Sequence, residues 1–211
     1  MGGPGAVRAG TSYAVCIPLL SDGAGHANFC DAKTRFRLTS GSTTVIDIPR
    51  DTCGIPLAGL LPHKATYHLS IDSSRPAGSV SVGGRVSAEW TFTSSPTADS
   101  QVERLPLSVV RFTPKLSLTS TAKAGTRFTV PVGIQGPAAK KGTVRSLTVK
   151  VSYDSGRTWK PATVHTAANG KRYLTLTHPT RPTTVGLKAT LVDRGGNTVT
   201  ETLPSAYRTV R

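Results

Sequence analysis

The chain has 211 residues and a formal net charge of +15, enough length for one large or two ordinary domains with a real core. Aromatic residues make up 6%, while 21 glycines and 15 prolines interrupt a text rich in Ser, Thr and Val. No apolar run reaches the roughly 18 residues of a transmembrane helix, and no segment keeps a period of 3.6, so the composition predicts short strands joined by turns.

The first ten residues, MGGPGAVRAG, lack the basic start and apolar stretch of a signal peptide. That fits either a cytoplasmic protein or a reading frame that opens inside a longer secreted one. Next comes Gly10-Thr11-Ser12-Tyr13-Ala14, the Gly-Thr-Ser-x-Ala string on which subtilisin-like proteases carry their nucleophile. A serine hydroxyl needs a histidine base and an orienting acid. Triads of that type run Asp, His, Ser along the chain, and neither Asp nor His precedes Ser12. Cys16, Ile17 and Pro18 continue a strand rather than open a helix, and His26, His63, His68, His165 and His178 show no site-like spacing. Ser12 therefore reads as one polar position of a strand, and no catalytic residue, cofactor site or metal site is expected.

Period-two alternation marks the first half: Tyr13, Val15 and Ile17; Phe36 and Leu38; Val45 and Ile46; Tyr67, Leu69 and Ile71; Ala88, Trp90 and Phe92. About five strands follow, few for a closed sandwich, and a missing strand or two at the amino end would account for it. A hairpin about Gly41-Ser42 makes opposed residue numbers total 83, which also sets Cys30 opposite Cys53. That register predicts a disulfide, and hence an oxidising compartment, with Cys16 left over; three free thiols are the alternative.

Residues 94 to 104, SSPTADSQVER, have no period and read as a linker. Charge shifts at the same place. Residues 1 to 100 hold eight Lys/Arg and seven Asp/Glu; residues 101 to 211 hold eighteen and four. A cationic second half favours anionic partners. The bases are scattered singly except Lys140-Lys141 and Lys171-Arg172, with no aromatic platform between them, which argues against nucleic acid.

Past the linker, strands are expected at Leu105 to Phe112, Phe128 to Ile134, Leu147 to Tyr153, Ala162 to Val164, Tyr173 to Leu176, Val185 to Leu191 and Thr198 to Leu203. Seven strands with a turn signal every ten residues or so have the cadence of an immunoglobulin-like sandwich. The fold class is therefore all-β, with two β-sandwich modules of immunoglobulin or fibronectin type: 1–95, incomplete at its amino end, and 105–211, strongly basic, joined by 96–104.

Ser152-Tyr153-Asp154-Ser155-Gly156-Arg157-Thr158-Trp159 fits the S-x-D-x-G-x-T-W Asp box. Asp154 can accept turn N–H bonds, Gly156 can take positive φ, and Trp159 can fold back, so the box reads as a structural hairpin. Trp159 and Tyr153, with Lys171 and Arg172, are the candidates for surface binding. Asp193-Arg194-Gly195-Gly196-Asn197 reads as a hairpin loop; calcium would need more than its one carboxylate.

Longer runs carry a resemblance. LPLSVVRFTPKLSLTSTAKAGTRFTVPVGIQG, LTVKVSYDSGRTWKPATV, RYLTLTHP and VGLKATLVDRGGNTVTETLPSAYR, together with PLLSDGAGH and VSAEWTFTS in the first half, resemble the carboxy-terminal region of large secreted actinomycete subtilisin-like serine proteases. The resemblance covers most of the chain. It implies extracellular accessory β-sandwich modules without catalysis, which stabilise or position a protease domain that lies outside this chain. The other function expected is a free-standing binding module for anionic or sugar polymers of the cell surface.

Overall fold

The computed structural model describes residues 5–17, 19–20, 32–50, 56–76 and 78–211. Its strands in chain order are β1 (Gly5–Ala9), β2 (Ser12–Cys16), β3 (Lys33–Ser40), β4 (Thr43–Ile48), β5 (Pro56–Ala58), β6 (Ala65–Ser74), β7 (Arg85–Ser94), β8 (Glu103–Arg104), β9 (Val109–Phe112), β10 (Thr121–Lys123), β11 (Arg127–Gln135), β12 (Val144–Ser152), β13 (Lys160–Ala162), β14 (Val164–Thr166), β15 (Arg172–Thr177), β16 (Thr184–Asp193) and β17 (Thr198–Val210). Among the described residues the one helical element is a 3-10 turn at Pro137–Ala139. The all-β expectation holds.

Alternation builds one long sheet in the order β13-β12-β16-β17-β7-β6-β3-β4, with β10 added to β17. A second sheet, β5-β2-β1-β8, belongs mainly to the first half, and a third, β14-β15-β11-β9, to the second. The register shows how they share a core. Phe36 opposes Ile71, Leu69 opposes Trp90, Trp90 opposes Val199, Val199 opposes Leu191, and Leu191 opposes Leu147. Every one of these except the half-buried Leu147 is buried. Paired side chains lie on the same side of a sheet, so one face of the long sheet is largely apolar, with Glu201 a buried charged residue set between Ala189 and Ala88. The two smaller sheets supply the rest of that core through Tyr13 and Val15 in one half and Val130 and Leu174 in the other.

The halves meet inside the sheet rather than across a gap. Strand β17 pairs with β7 from Thr198↔Thr91 to Thr202↔Ser87, and farther along Gly83 N–H donates to Ser205 O at 2.6 Å. Trp90 Nε1 donates to Ser108 O at 2.7 Å, while the buried Glu201 accepts from Val110 N–H at 2.8 Å. These two bonds tie the chain entering β9 down onto the seam. Within the expected linker, Glu103–Arg104 form β8 and pair with β1.

The first half holds more strands than its alternation indicates. Gly5–Ala9 form β1, paired with β2 through a Gly10-Thr11 turn in which Gly10 takes φ +57, a conformation glycine adopts at little cost. Arg8 hides this strand from sequence reading because it points into the interior. Its three nitrogens donate to Gly10 O at 2.6 Å, Ser94 Oγ at 3.1 Å and Leu61 O at 2.7 Å, so the cation is buried but hydrogen-bonded.

The cysteine expectation is corrected. Cys30 and Cys53 lie outside the described residues, but Cys16 is itself disulfide-bonded. The expectation that Cys16 is left over is thereby overturned. The register from which the Cys30–Cys53 pairing was extrapolated is interrupted by a bulge. Opposed numbers total 83 at Ser40↔Thr43 and Thr39↔Thr44, as predicted, but 84 from Leu38↔Ile46 outward. A slip of one residue turns a side chain to the other face, which defeats the extrapolation to positions 30 and 53.

Candidate functional site

The Asp box closes as its residue types require. Asp154 Oδ1 accepts from Thr158 N–H at 2.8 Å and Ser152 Oγ–H at 2.7 Å, and Oδ2 accepts from Thr158 Oγ1–H at 2.6 Å. These bonds, those from Thr158 foremost, hold the Asp154 carboxyl well below the usual carboxylate range. Ser155 and Gly156 both take positive φ. A β-carbon at Gly156 would stand 3.0 Å from Pro204 Cβ and 3.4 Å from Trp159 Cζ2, so the glycine lets the turn settle between proline and indole. Trp159 is half-buried there.

Tyr153 turns the other way. Its ring meets His178 edge-on at 6.0 Å, in a cluster where Phe128, His178 and Tyr207 lie 5.2 to 5.7 Å apart. Burial pushes the Tyr153 phenol up and His178 down, and His178 Nδ1 is buried without a hydrogen-bond partner among the described residues. Arg172 opens β15 of the third sheet, opposite Thr166 and Val132, and Lys171 lies in the turn just before it. Tyr153 Oη donates to Thr177 O at 3.3 Å, at the opposite end of β15 from Arg172. Beside Lys171 and Arg172 the structure adds a pair the sequence reading passed over: His165 opposes Tyr173 across β14 and β15, with rings stacked at 5.3 Å and 23°.

The larger surface is the outward face of the long sheet. In the first half it carries Lys33, Arg35, Arg37, His68, Asp72, Arg85 and Glu89 along β3, β6 and β7, with Asp47 on β4. Arg35 grips Asp47 with both arms of its guanidinium, at 2.8 and 2.7 Å, and Arg37 approaches the same carboxylate at 3.8 Å. Hydrogen bonding and charge from Arg35 hold Asp47 below its ordinary pKa.

In the second half the same face is built differently. Lys150 directly opposes Lys188, which opposes Thr202 on its other side; Thr148 opposes Thr190, which opposes Thr200. Arg208 and Lys123 continue the face on β17 and β10. None of the outward positions of β10, β12, β16 and β17 is a carboxylate or an aromatic. Three of the second half's four carboxylates are committed elsewhere. Asp154 is in the hairpin, Asp193 binds Asn197 N–H and Nδ2–H at 2.9 and 2.8 Å, and Glu201 is buried.

Ser12 stands on β2 opposite Ala9 and Ala58, neither of which can activate a hydroxyl. Its neighbours Tyr13 and Val15 are buried, as the strand reading of GTSYA requires.

This arrangement defines an all-β protein of layered, packed sheets. No protein-family model and no curated protein matches the chain. Among solved structures it is similar to a chimeric titin Z1Z2-Z1Z2 tandem functionalised with a GRGDS peptide from fibronectin, at 16% identity over 80% of this chain and 82% of that one, with a TM-score of 0.27. It is also similar to the mixed-linkage glucan utilisation locus protein SGBP-B of Bacteroides ovatus in complex with a mixed-linkage heptasaccharide, at 18% identity over 84% of this chain and 37% of that one, with a TM-score of 0.20.

Proposed function

We propose that this chain is a non-catalytic β-sandwich module that works outside the cell by attaching to an anionic surface polymer. One observation carries this reading: the second half holds eighteen Lys/Arg against four Asp/Glu, and three of those four carboxylates are bonded into a turn, a hairpin and the core. A field of that kind concentrates polyanions and speeds their encounter. The test is sedimentation of the full chain with purified cell walls that carry or have been stripped of their anionic polymer. Bound protein should fall at least tenfold between roughly 50 and 200 mM salt, as counterion release demands when several cations engage. Binding that ignores salt, or survives removal of the polymer, defeats the proposal.

A second reading is that the module stabilises or positions a subtilisin-like catalytic domain, and the resemblance of the runs from LPLSVV to LPSAYR favours it. Its test is the melting temperature of such a catalytic domain with and without this chain added. A rise of several degrees supports the role, and an unchanged melt removes it.

A further inference from the structure

We propose that the outward face around Lys150 and Lys188 is a docking site for a polymer of polyols linked by phosphodiesters, with one phosphate held between the two ammonium groups. The inference rests on the anionic-polymer reading above and names its ligand and its place. Residues opposed across antiparallel strands have β-carbons about 4.5 to 5.5 Å apart, and like charges there are destabilising. Lys150 and Lys188 are such a pair. Thr202 lies beside Lys188 and Pro161 beside Lys150, Thr190 bonds Thr200 at 3.1 Å, and the nearest outward carboxylate, Glu89, stands beyond them opposite Thr200 on β7. A bound anion removes the repulsion that the fold otherwise carries.

Three features select the anion. Two lysines offer point charges that a single diester phosphate can bridge without the fork geometry of a bidentate pair. The same sheet uses that fork where it does bind a carboxylate, at Arg35 and Asp47. Single-stranded nucleic acid is disfavoured because the outward positions of these strands hold no aromatic ring on which bases would stack. A polyol chain, by contrast, presents hydroxyls to the threonines between its charges. Arg208 and Lys123, farther along the face on β17 and β10, would meet later phosphates of the same chain.

The experiment titrates the full chain with poly(glycerol phosphate), with hyaluronate and duplex DNA as comparison polymers. It uses the wild type, the double variant Lys150→Gln/Lys188→Gln, and Lys140→Gln/Lys141→Gln as an equal loss of charge elsewhere. We expect the first double variant to bind poly(glycerol phosphate) at least tenfold more weakly and to lower the slope of log affinity against log salt by about 2, while the second changes affinity less than twofold. A melt of each variant separates loss of binding from loss of fold. An equal loss from Lys140→Gln/Lys141→Gln overturns the site and leaves the anionic-polymer reading standing. Tighter binding of hyaluronate or DNA by the wild type overturns the phosphodiester-polyol assignment alone. Wild-type protein that binds none of the three at low salt overturns both.

Discussion

One sheet face runs through both halves of the molecule, yet its two ends handle charge by opposite rules. Over β3, β4, β6 and β7 cations stand among carboxylates, and Asp47 is held by Arg35 and approached by Arg37. Over β10, β12, β16 and β17 cations stand among threonines, and two lysines face each other. Both ends lie over buried apolar strands, and the contrast is carried by the outward side chains. A face whose charges neutralise one another is complete in itself. A face that keeps like charges opposed spends stability on something outside the fold, which is how a binding surface differs from a merely solvated one.

The comparison assumes that both ends belong to one mechanical unit, and Trp90 is where that assumption can be broken. Its indole is buried at the seam, opposite Val199, and its N–H bonds Ser108 O. Trp90→Ala should cost about 4 kcal/mol through the cavity and the orphaned carbonyl. The chain has two tryptophans, so in this variant Trp159 fluorescence reports the second half while far-ultraviolet circular dichroism reports the whole. Coincident urea midpoints keep the halves as one unit. Separated midpoints split it, and the shared face becomes two neighbouring surfaces.

Glu201 gives the second-largest effect, this time through pH. Burial pushes its carboxyl up to about 7, against bonding from Val110 N–H and the nearby charge of Arg111, which pull it down. The folded state therefore holds its proton more tightly than the unfolded chain, whose carboxyl titrates near 4.5. The resulting stability is full below about pH 4.5 and is lost as pH rises through 7, by on the order of 3 kcal/mol. His178 acts in the opposite sense: burial lowers its pKa, so its contribution is present above its ordinary value near 6.5 and lost as pH falls below that. In Glu201→Gln the decline with rising pH should disappear, leaving the shallow rise due to His178. Urea midpoints at pH 5, 6, 7 and 8 measure it, and a decline that persists in the variant would show that another group causes it.

These residues also mark what could be read in advance. Alternation placed Phe36, Leu69, Trp90 and Val130 in the core correctly, because period-two patterning records which face a side chain takes. The Asp box was legible for a related reason: its bonds from Asp154 to Thr158 span four residues. Alternation is silent about which strand lies beside which, so the pairing of β17 with β7 and the Lys150–Lys188 juxtaposition needed the three-dimensional register. Arg8 and Glu201 escaped because each is a charged residue in a slot where the pattern calls for an apolar one. The bulge between Leu38 and Thr39 changes register without any mark in the alternation, so hairpin numbering could not be carried past it.

The smallest effect bears most directly on the contrast between the two ends. If Lys188 faces Lys150 for the sake of a ligand, removing the charge relieves the free protein. Lys188→Thr keeps a β-branched residue in the strand and should raise stability by about 0.5 kcal/mol at low salt. The gain should shrink as salt rises, because exposed charges are screened over about 10 Å at 0.1 M. Arg35→Thr, the same replacement at the compensated end, should lower stability instead, since it strips Asp47 of its bidentate partner. Chemical denaturation of both variants at two salt concentrations tests this. Opposite signs that converge at high salt establish that one end of the face is balanced and the other poised for an anion. Equal signs would mean that the lysine pair is already neutralised within the fold, and the face would then have nothing left to offer a polymer.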